Sequence, residues 1–185
     1  MKKIIFILLI IAAFTACQSN NGRFVIKNKQ VGNLTDSTTV AQMKQLYQND
    51  SIVKKSHQQT AFAPYDEYTI YDKSNKEILL VVTPVKINDE QSIIKQVEIK
   101  SPRFKTEKGV NLNSKFVDFK KHHKIGHIDE TFKHIVIFID DLNATIDMNK
   151  DVLPLNARND RTIKIDETLI PDNAKINHFV VFLND

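Results

Sequence analysis

The sequence predicts an α+β fold: a mainly antiparallel sheet with two short helices, arranged as two tandem helix-plus-sheet modules packed as one domain. Short segments rich in β-branched and aromatic residues recur between polar turns, which is typical of antiparallel sheets. Two other stretches carry apolar residues at three-residue spacing, as amphipathic helices do. These stretches begin at Thr38 and Ser114, 76 positions apart, which indicates an internal repeat. We therefore expect one domain over residues 23–185, with modules at about 23–101 and 102–185.

The first module begins with a predicted strand at Phe24–Ile26. Thr38 or Thr39 can cap a short helix that runs through Tyr47, because a threonine oxygen accepts a hydrogen bond from an otherwise unpaired backbone N–H. The apolar residues of this helix lie on a single stripe. Three predicted strands follow, separated by turn-forming residues: Glu67–Tyr71, Glu77–Thr83 and Ser92–Lys100.

The second module repeats this order. Ser114 is a good N-cap for a second helix, in which Phe116 and Phe119 repeat the spacing of Val40 and Met43. We expect both phenylalanines to lie in the core. The predicted strands that follow are Lys133–Asp140, Ala144–Met148, Arg161–Ile165 and Lys175–Leu183. The first of these strands is nearly continuous in apolar character, which predicts burial on both of its faces.

The N-terminus has the features of a lipoprotein signal peptide. Two lysines precede an apolar run over residues 4–13, which is too short for a membrane span of about 20 residues and favours a cleaved signal peptide over residues 1–16. The run leads to Ala16-Cys17, which is similar to the bacterial lipobox, and Cys17 is the only cysteine in the chain. We therefore predict that Cys17 is acylated, palmitate included, and becomes the new N-terminus. The alternative is an ordinary secretory signal peptide.

Residues 17–22 are polar and turn-prone beyond the cysteine, and we interpret them as a tether. Five residues span at most about 18 Å, so the domain should sit close to its membrane. In similar lipoproteins an Asp directly after the acylated cysteine retains the protein in the inner membrane. This chain has Gln18 there, which favours the outer membrane, and we expect the domain on the periplasmic face.

The composition excludes several classes of protein. The chain has 185 residues, of which 42% are hydrophobic and 26% charged, so it is neither disordered nor fibrous nor a multi-spanning membrane protein. A single cysteine excludes an intramolecular disulfide and a multi-thiolate metal cluster. We expect no cofactor.

Basic residues concentrate around the second predicted helix. Between Lys100 and His127 the chain has eight Lys or Arg residues against two acidic ones, although its formal net charge is only +4. This segment is the candidate interaction patch, suited to anionic lipid headgroups or an acidic envelope protein, and the alternative is a solvated face. Export argues against nucleic acid as the partner. The patch residues are Lys100, Arg103, Lys105, Lys108, Lys120, Lys121 and Lys124.

Motifs for catalysis and metal binding are weak. Three histidines lie within residues 122–127, but no H-E-x-x-H pattern accompanies them, and we interpret them as part of a polar, basic helix end. Asp147-x-Asn149-x-Asp151 resembles the start of an EF-hand loop but lacks the later Gly and Glu. Nucleophile motifs such as G-x-S-x-G do not occur in the sequence. We expect neither a metal site nor catalytic residues.

The stretch 31–38, VGNLTDST, resembles the opening signature of the sigma-E-regulated (RpoE-regulated) bacterial lipoproteins, a family of unknown function. The resemblance covers roughly residues 31–121, and its further matches are Val97-x-Ile99-x-Ser101, Thr106-x-x-Gly109-Val110 and Phe116-x-Asp118. It implies an outer-membrane lipoprotein linked to envelope homeostasis. It implies no catalytic residues.

These patterns favour a non-enzymatic envelope lipoprotein that binds a protein or an envelope component, in envelope stress homeostasis. The alternative is a small-ligand-binding periplasmic domain with a pocket between sheet and helices, and an enzyme comes third. An exposed apolar or basic patch would favour the first hypothesis. A closed apolar pocket of about 300 Å³ or more would favour the second, and converging polar groups with perturbed pKa values would favour the third.

Overall fold

The structure, a computed structural model, describes residues 22–58, 63–159 and 162–184. The helices in these ranges are α1 (Val40–Leu46), α2 (Phe116–His122) and α3 (Leu155–Asn159). The strands of a small sheet are β1 (Val25–Lys27), β2 (Gln30–Val31), β3 (Leu34–Thr35) and β8 (Lys105–Thr106). The strands of a large sheet are β4 (Ser51–His57), β5 (Tyr65–Tyr71), β6 (Ile78–Pro84), β7 (Ile94–Ile99), β9 (Ile125–Glu130), β10 (His134–Ile139), β11 (Ala144–Asn149) and β12 (His178–Phe182).

The large sheet is antiparallel throughout and has the order β4-β5-β6-β7-β12-β11-β10-β9. Each half is a four-stranded meander that follows one helix, α1 in the first half and α2 in the second. The halves meet at the centre, where Val97 of β7 faces Val181 of β12. The predicted α+β class with a mainly antiparallel sheet is confirmed.

The two helices begin in the same way, 76 positions apart. The Thr38 hydroxyl accepts from the Thr35 amide (2.8 Å), and the Ser114 hydroxyl accepts from the Asn111 amide (3.1 Å). The next residue is the N-cap in each case, so the prediction of Ser114 as the second cap is wrong by one position: Lys115 occupies it. The Ser114 hydroxyl instead bonds within the turn before the helix, which is another common role of a short hydroxyl side chain and competes with helix capping.

The core lies between the helices and one face of the large sheet, which we call the inward face. Val40 and Met43 of α1 and Phe116 and Phe119 of α2 are fully buried there. The Phe119 ring meets the ring of Phe179 edge to face, with centroids 5.4 Å apart. The inward position of Phe116 and Phe119 follows from their three-residue spacing, which places both on one side of the helix.

The prediction missed both edge strands of the large sheet. β4 contains two lysines and two serines, and β9 contains Gly126 and two acidic residues, so neither has the apolar pattern of a strand. Polar and charged residues are common on edge strands because they discourage pairing with other chains. Because an edge strand must stay unpaired, it lacks the apolar pattern by which a strand is recognised in a sequence.

Two further expectations need correction. Residues 162–165 form no strand, and Arg161, the start of the predicted strand, lies outside the described residues. β10 is buried on one face only: Ile135, Ile137 and Ile139 are fully buried, while the alternate side chains are half-buried.

None of the described helices is long and apolar enough to cross a membrane.

Candidate functional site

Most residues of the candidate basic patch are ion-paired. The partners are Glu98 for Lys100 (2.6 Å), Asp72 for Arg103 (2.6 Å), Asp141 for Lys108 (3.2 Å), Asp172 for Lys120 (2.6 Å) and Asp140 for Lys124 (2.9 Å). Lys105 and Lys121 are exposed and make no ion pair with any described residue. Carboxylates, most of them distant in the sequence, thus neutralise much of the segment, and its role as an interaction patch stays a prediction. Cys17 lies outside the described residues.

A Thr–His–Asp array, in which the threonine and the histidine are buried and the aspartate is exposed, was not predicted. Nδ1 of His123 lies 3.0 Å from Oδ2 of Asp141, and Nε2 of His123 lies 3.0 Å from Oγ1 of Thr106. A carboxylate only accepts hydrogen bonds, so Nδ1 carries a proton, and in the neutral ring Nε2 then accepts from the threonine hydroxyl. This is the order of groups in a nucleophile–base–acid triad.

The environment of the array favours a structural role. Thr106 is 4% exposed, and its hydroxyl also accepts from the Val110 amide (3.2 Å). Burial pushes the pKa of Asp141 upward, but hydrogen bonds from His123, the Lys124 amide and Lys108 outweigh burial and hold that pKa below its usual range. The array therefore joins β8, the end of α2 and the turn after β10 through a charged hydrogen-bond network.

The other face of the large sheet, which we call the outward face, points away from the helices. Strand register places on it residues that alternate with the core positions: Val53, Lys55 and His57 on β4; Tyr65, Glu67, Thr69 and Tyr71 on β5; Val81 and Thr83 on β6; Gln96 and Glu98 on β7; His178, Val180 and Phe182 on β12; Thr145 and Asp147 on β11; His134, Val136 and Phe138 on β10; and His127 and Asp129 on β9. Their side chains are half-buried or exposed, apart from Thr145, which is 9% exposed.

Four histidines lie on the outward face, each next to a carboxylate. The pairs are His57 with Glu67 (3.8 Å), His127 with Asp129 (3.6 Å), His134 with Asp147 (3.5 Å) and His178 with Glu98 (2.5 Å). Two of the histidine rings stack on neighbouring aromatic rings, His57 on Tyr65 and His127 on Phe138. In the described part of the chain, no group of three or more His, Cys, Asp or Glu side chains is placed to hold a metal ion.

Sequence reasoning missed the outward face because its members come from both halves of the chain. His178 and Glu98 are 80 positions apart and meet only because β7 and β12 are neighbours. The signal that was available is the two-residue alternation within each strand, which separates inward from outward side chains. Alternation does not say which strands are adjacent.

Comparison with known proteins identifies the class of protein. Residues 1–18 match the family model of the prokaryotic membrane lipoprotein lipid attachment site. The chain is therefore a lipoprotein that is anchored to a membrane through its N-terminus. A search of curated protein sequences gives no significant match.

The fold also has a counterpart among solved structures. It is similar to the crystal structure of the uncharacterized protein YfeY from Escherichia coli, with a TM-score of 0.56 and 11% sequence identity. The match covers 85% of this chain and 98% of that chain. At this identity the likeness shows a shared fold, and membership of the sigma-E-regulated lipoprotein family stays a prediction.

Proposed function

We propose that this chain is a non-enzymatic lipoprotein of the outer membrane that binds an envelope protein through the outward face of its large sheet. The main observation in support is that the helices cover only one face of that sheet. Seven strand spacings of about 4.8 Å and strands of about six residues give an outward face of roughly 34 by 20 Å. Its area is close to the roughly 800 Å² that each partner contributes to a standard protein interface.

The composition of the outward face also supports binding. It carries the aromatic rings of Tyr65, Tyr71, Phe138 and Phe182 among polar and charged side chains. Aromatic residues are enriched in protein interfaces, where they bury a large area at small entropic cost. The histidine–carboxylate pairs add polar groups that can give a partner orientation and specificity.

Two sequence features and one structural feature support the rest of the proposal. Gln18, and not Asp, follows the acylated Cys17, which favours the outer membrane and the periplasmic side. The resemblance to sigma-E-regulated lipoproteins favours a role in envelope stress homeostasis. Binding is favoured over catalysis because the Thr106–His123–Asp141 array, which has the order of a catalytic triad, has its threonine and histidine buried and its hydroxyl already engaged.

Site-specific photo-crosslinking in intact cells tests the proposal. A photoreactive amino acid replaces Thr83 or Val180, which lie near the middle of the outward face, and Lys121 on α2 serves as the control position. We expect discrete protein adducts from both outward positions and none from the control. The proposal is wrong if neither outward position gives a protein adduct, or if position 121 gives the same ones.

A surface cavity is the observation that supports the alternative of a small-ligand-binding domain. It has a volume of about 840 Å³ and lies where the β9–β10 turn faces α3, with Phe132, Lys133, His134 and Arg158 among its lining residues. The cavity is open and lined largely by charged groups, unlike the closed apolar pocket that typifies small-molecule sites. Lys133→Glu tests this alternative. It would be favoured if the variant left the outward-face crosslinks unchanged but no longer supported envelope stress homeostasis in cells.

A further inference from the structure

The N-terminal tether ends at the rim of a second cavity. Gly22, the first described residue, lines a cavity of about 630 Å³ beside the small sheet. Cys17 lies five residues earlier, within the lipid attachment site, and five residues span at most about 18 Å. The acylated cysteine therefore keeps this cavity within reach of the lipid headgroups of its own membrane.

Three cationic side chains surround the cavity, and the small sheet brings them together. Parallel pairing of β1 with β8 sets Val25 beside Lys105, and the Lys105 amide donates to the Phe24 carbonyl (2.8 Å). The Arg103 guanidinium lies over the Phe24 ring, 4.1 Å from its centroid. Lys27 follows at the end of β1.

The charge balance at the cavity is positive. Glu107 is its one acidic lining residue and pairs with Lys27 at 2.9 Å, with the side chains 46% and 64% exposed, so the pair is weak and can exchange for another anion. Arg103 pairs with Asp72 (2.6 Å) and Glu77 (3.6 Å), which lie outside the cavity lining, so the positive charge without a partner comes from exposed Lys105, which has no ion-pair partner among the described residues. A phosphate group would supply the missing negative charge and enough acceptors for all three side chains.

We propose that this cavity binds the phosphate of an anionic phospholipid headgroup in the membrane that holds the anchor, through Lys27, Arg103 and Lys105. Tethering supplies the affinity that an open site lacks, because the acyl anchor converts headgroup binding into an intramolecular event at high effective concentration. Each basic residue near an anionic surface strengthens binding about fivefold. The domain is thereby oriented with its small sheet toward the bilayer. This inference rests on the lipid anchor and not on binding by the outward face.

Lysine footprinting on the full acylated chain tests the site. The protein is reconstituted into vesicles of phosphatidylcholine with one part in four phosphatidylglycerol, or of phosphatidylcholine alone, and lysine reactivity is read by mass spectrometry. We expect Lys27 and Lys105 to be protected several-fold in the anionic vesicles, and 1 M salt to remove the protection, as for a screened charge contact. Lys121, exposed on α2 without an ion-pair partner among the described residues, should react equally in both. Equal reactivity of Lys105 in both vesicles, or equal protection of Lys121, would overturn the site.

Two further arms separate specific lipid binding from its alternatives. Inorganic phosphate added to phosphatidylcholine vesicles should not protect Lys27 or Lys105, and full protection by it would show a soluble anion site instead. In native mass spectrometry from nanodiscs, a Lys27→Gln/Lys105→Gln variant should retain at least tenfold less phosphatidylglycerol than the parent chain, as two fivefold losses predict. A Lys121→Gln variant should retain as much as the parent, and equal losses in the two variants would reject the assigned residues. Outward-face crosslinking is independent of all these readouts.

Discussion

Truncation of Phe119 tests how the second helix is held on the sheet. The side chain is fully buried, and its ring contacts Phe179 of the central strand β12 edge to face. Phe119→Ala removes this aromatic contact and leaves a cavity, because the surrounding strands relax only partly. Such truncations cost about 3–5 kcal/mol of unfolding free energy.

Urea denaturation of the full acylated chain in detergent measures this cost. With a urea dependence of about 2 kcal/mol per molar, a loss of about 4 kcal/mol lowers the unfolding midpoint by about 2 M. Val117→Ala is the matched control, since Val117 lies on the same helix and is 36% exposed. A surface change of this kind is worth about 0.5 kcal/mol or less.

The comparison of the two variants decides the outcome. A Phe119→Ala midpoint within about 0.3 M of the Val117→Ala midpoint would refute the assignment of Phe119 to the core. It would also remove the argument that Phe116 and Phe119 play the part in α2 that Val40 and Met43 play in α1. A similar loss in both variants, with a changed urea slope, would point to an altered denatured state instead.

Three further predictions concern the anchor, a glycine and pH. Cys17→Ala should move the protein from the membrane to the soluble fraction or leave it unprocessed, and an unchanged membrane fraction with unchanged mature mass would rule out acylation there. Gly32→Ala should cost about 2 kcal/mol in urea denaturation, because Gly32 has φ +56° and a Cβ would collide with the Arg23 carbonyl, so a parent-like midpoint would contradict this geometry. Burial opposes ionisation of Asp66 and Asp141, but hydrogen bonds hold both pKa values below the unfolded value of about 3.9, so the stability that these two carboxylates contribute should be fully present above about pH 5 and be lost as pH drops below about 4. Asp66→Asn should lower the midpoint at pH 7 and flatten its fall in acid, and an unaltered acid profile would show that this carboxyl contributes nothing.

Local pattern was enough to predict α1, α2 and the interior strands of the large sheet, whereas the five-residue helix α3 was not predicted. Threonine before a three-residue apolar spacing marks α1, and Thr39 caps it as expected, with its hydroxyl accepting from the Gln42 amide (3.2 Å). Strands such as β6 and β7 have apolar runs because their inward side chains fill the core. The two edge strands lack that pattern, because an edge must remain polar to stay unpaired.

The basic patch shows why charge along a sequence does not predict charge on a surface. Arg103 forms an ion pair with Asp72, which is 31 positions away in the sequence, and Lys120 forms one with Asp172, which is 52 positions away. Only the tertiary fold creates these contacts. Lys27 is absent from the predicted patch because it lies far from the basic run, and β1–β8 pairing brings it to Lys105. The fold therefore divides one apparent patch into paired charges and a smaller cationic cluster around the cavity that Gly22 lines.

The two halves are also similar in the way in which each helix is bonded to the sheet. The first amide of α1, on Val40, donates to the Ser92 carbonyl, and the first amide of α2, on Phe116, donates to the Ala174 carbonyl, both at 3.0 Å. Ser92 and Ala174 each lie just before the last strand of their meander, β7 and β12, which are the strands that pair at the centre of the sheet. The free amides at the start of each helix are thus satisfied by the chain that leads into the central seam. Each helix is therefore hydrogen-bonded to the segment that leads into one of the two central strands, β7 or β12, and one core joins both halves of the sheet. We expect that detaching either helix also weakens the pairing of β7 with β12.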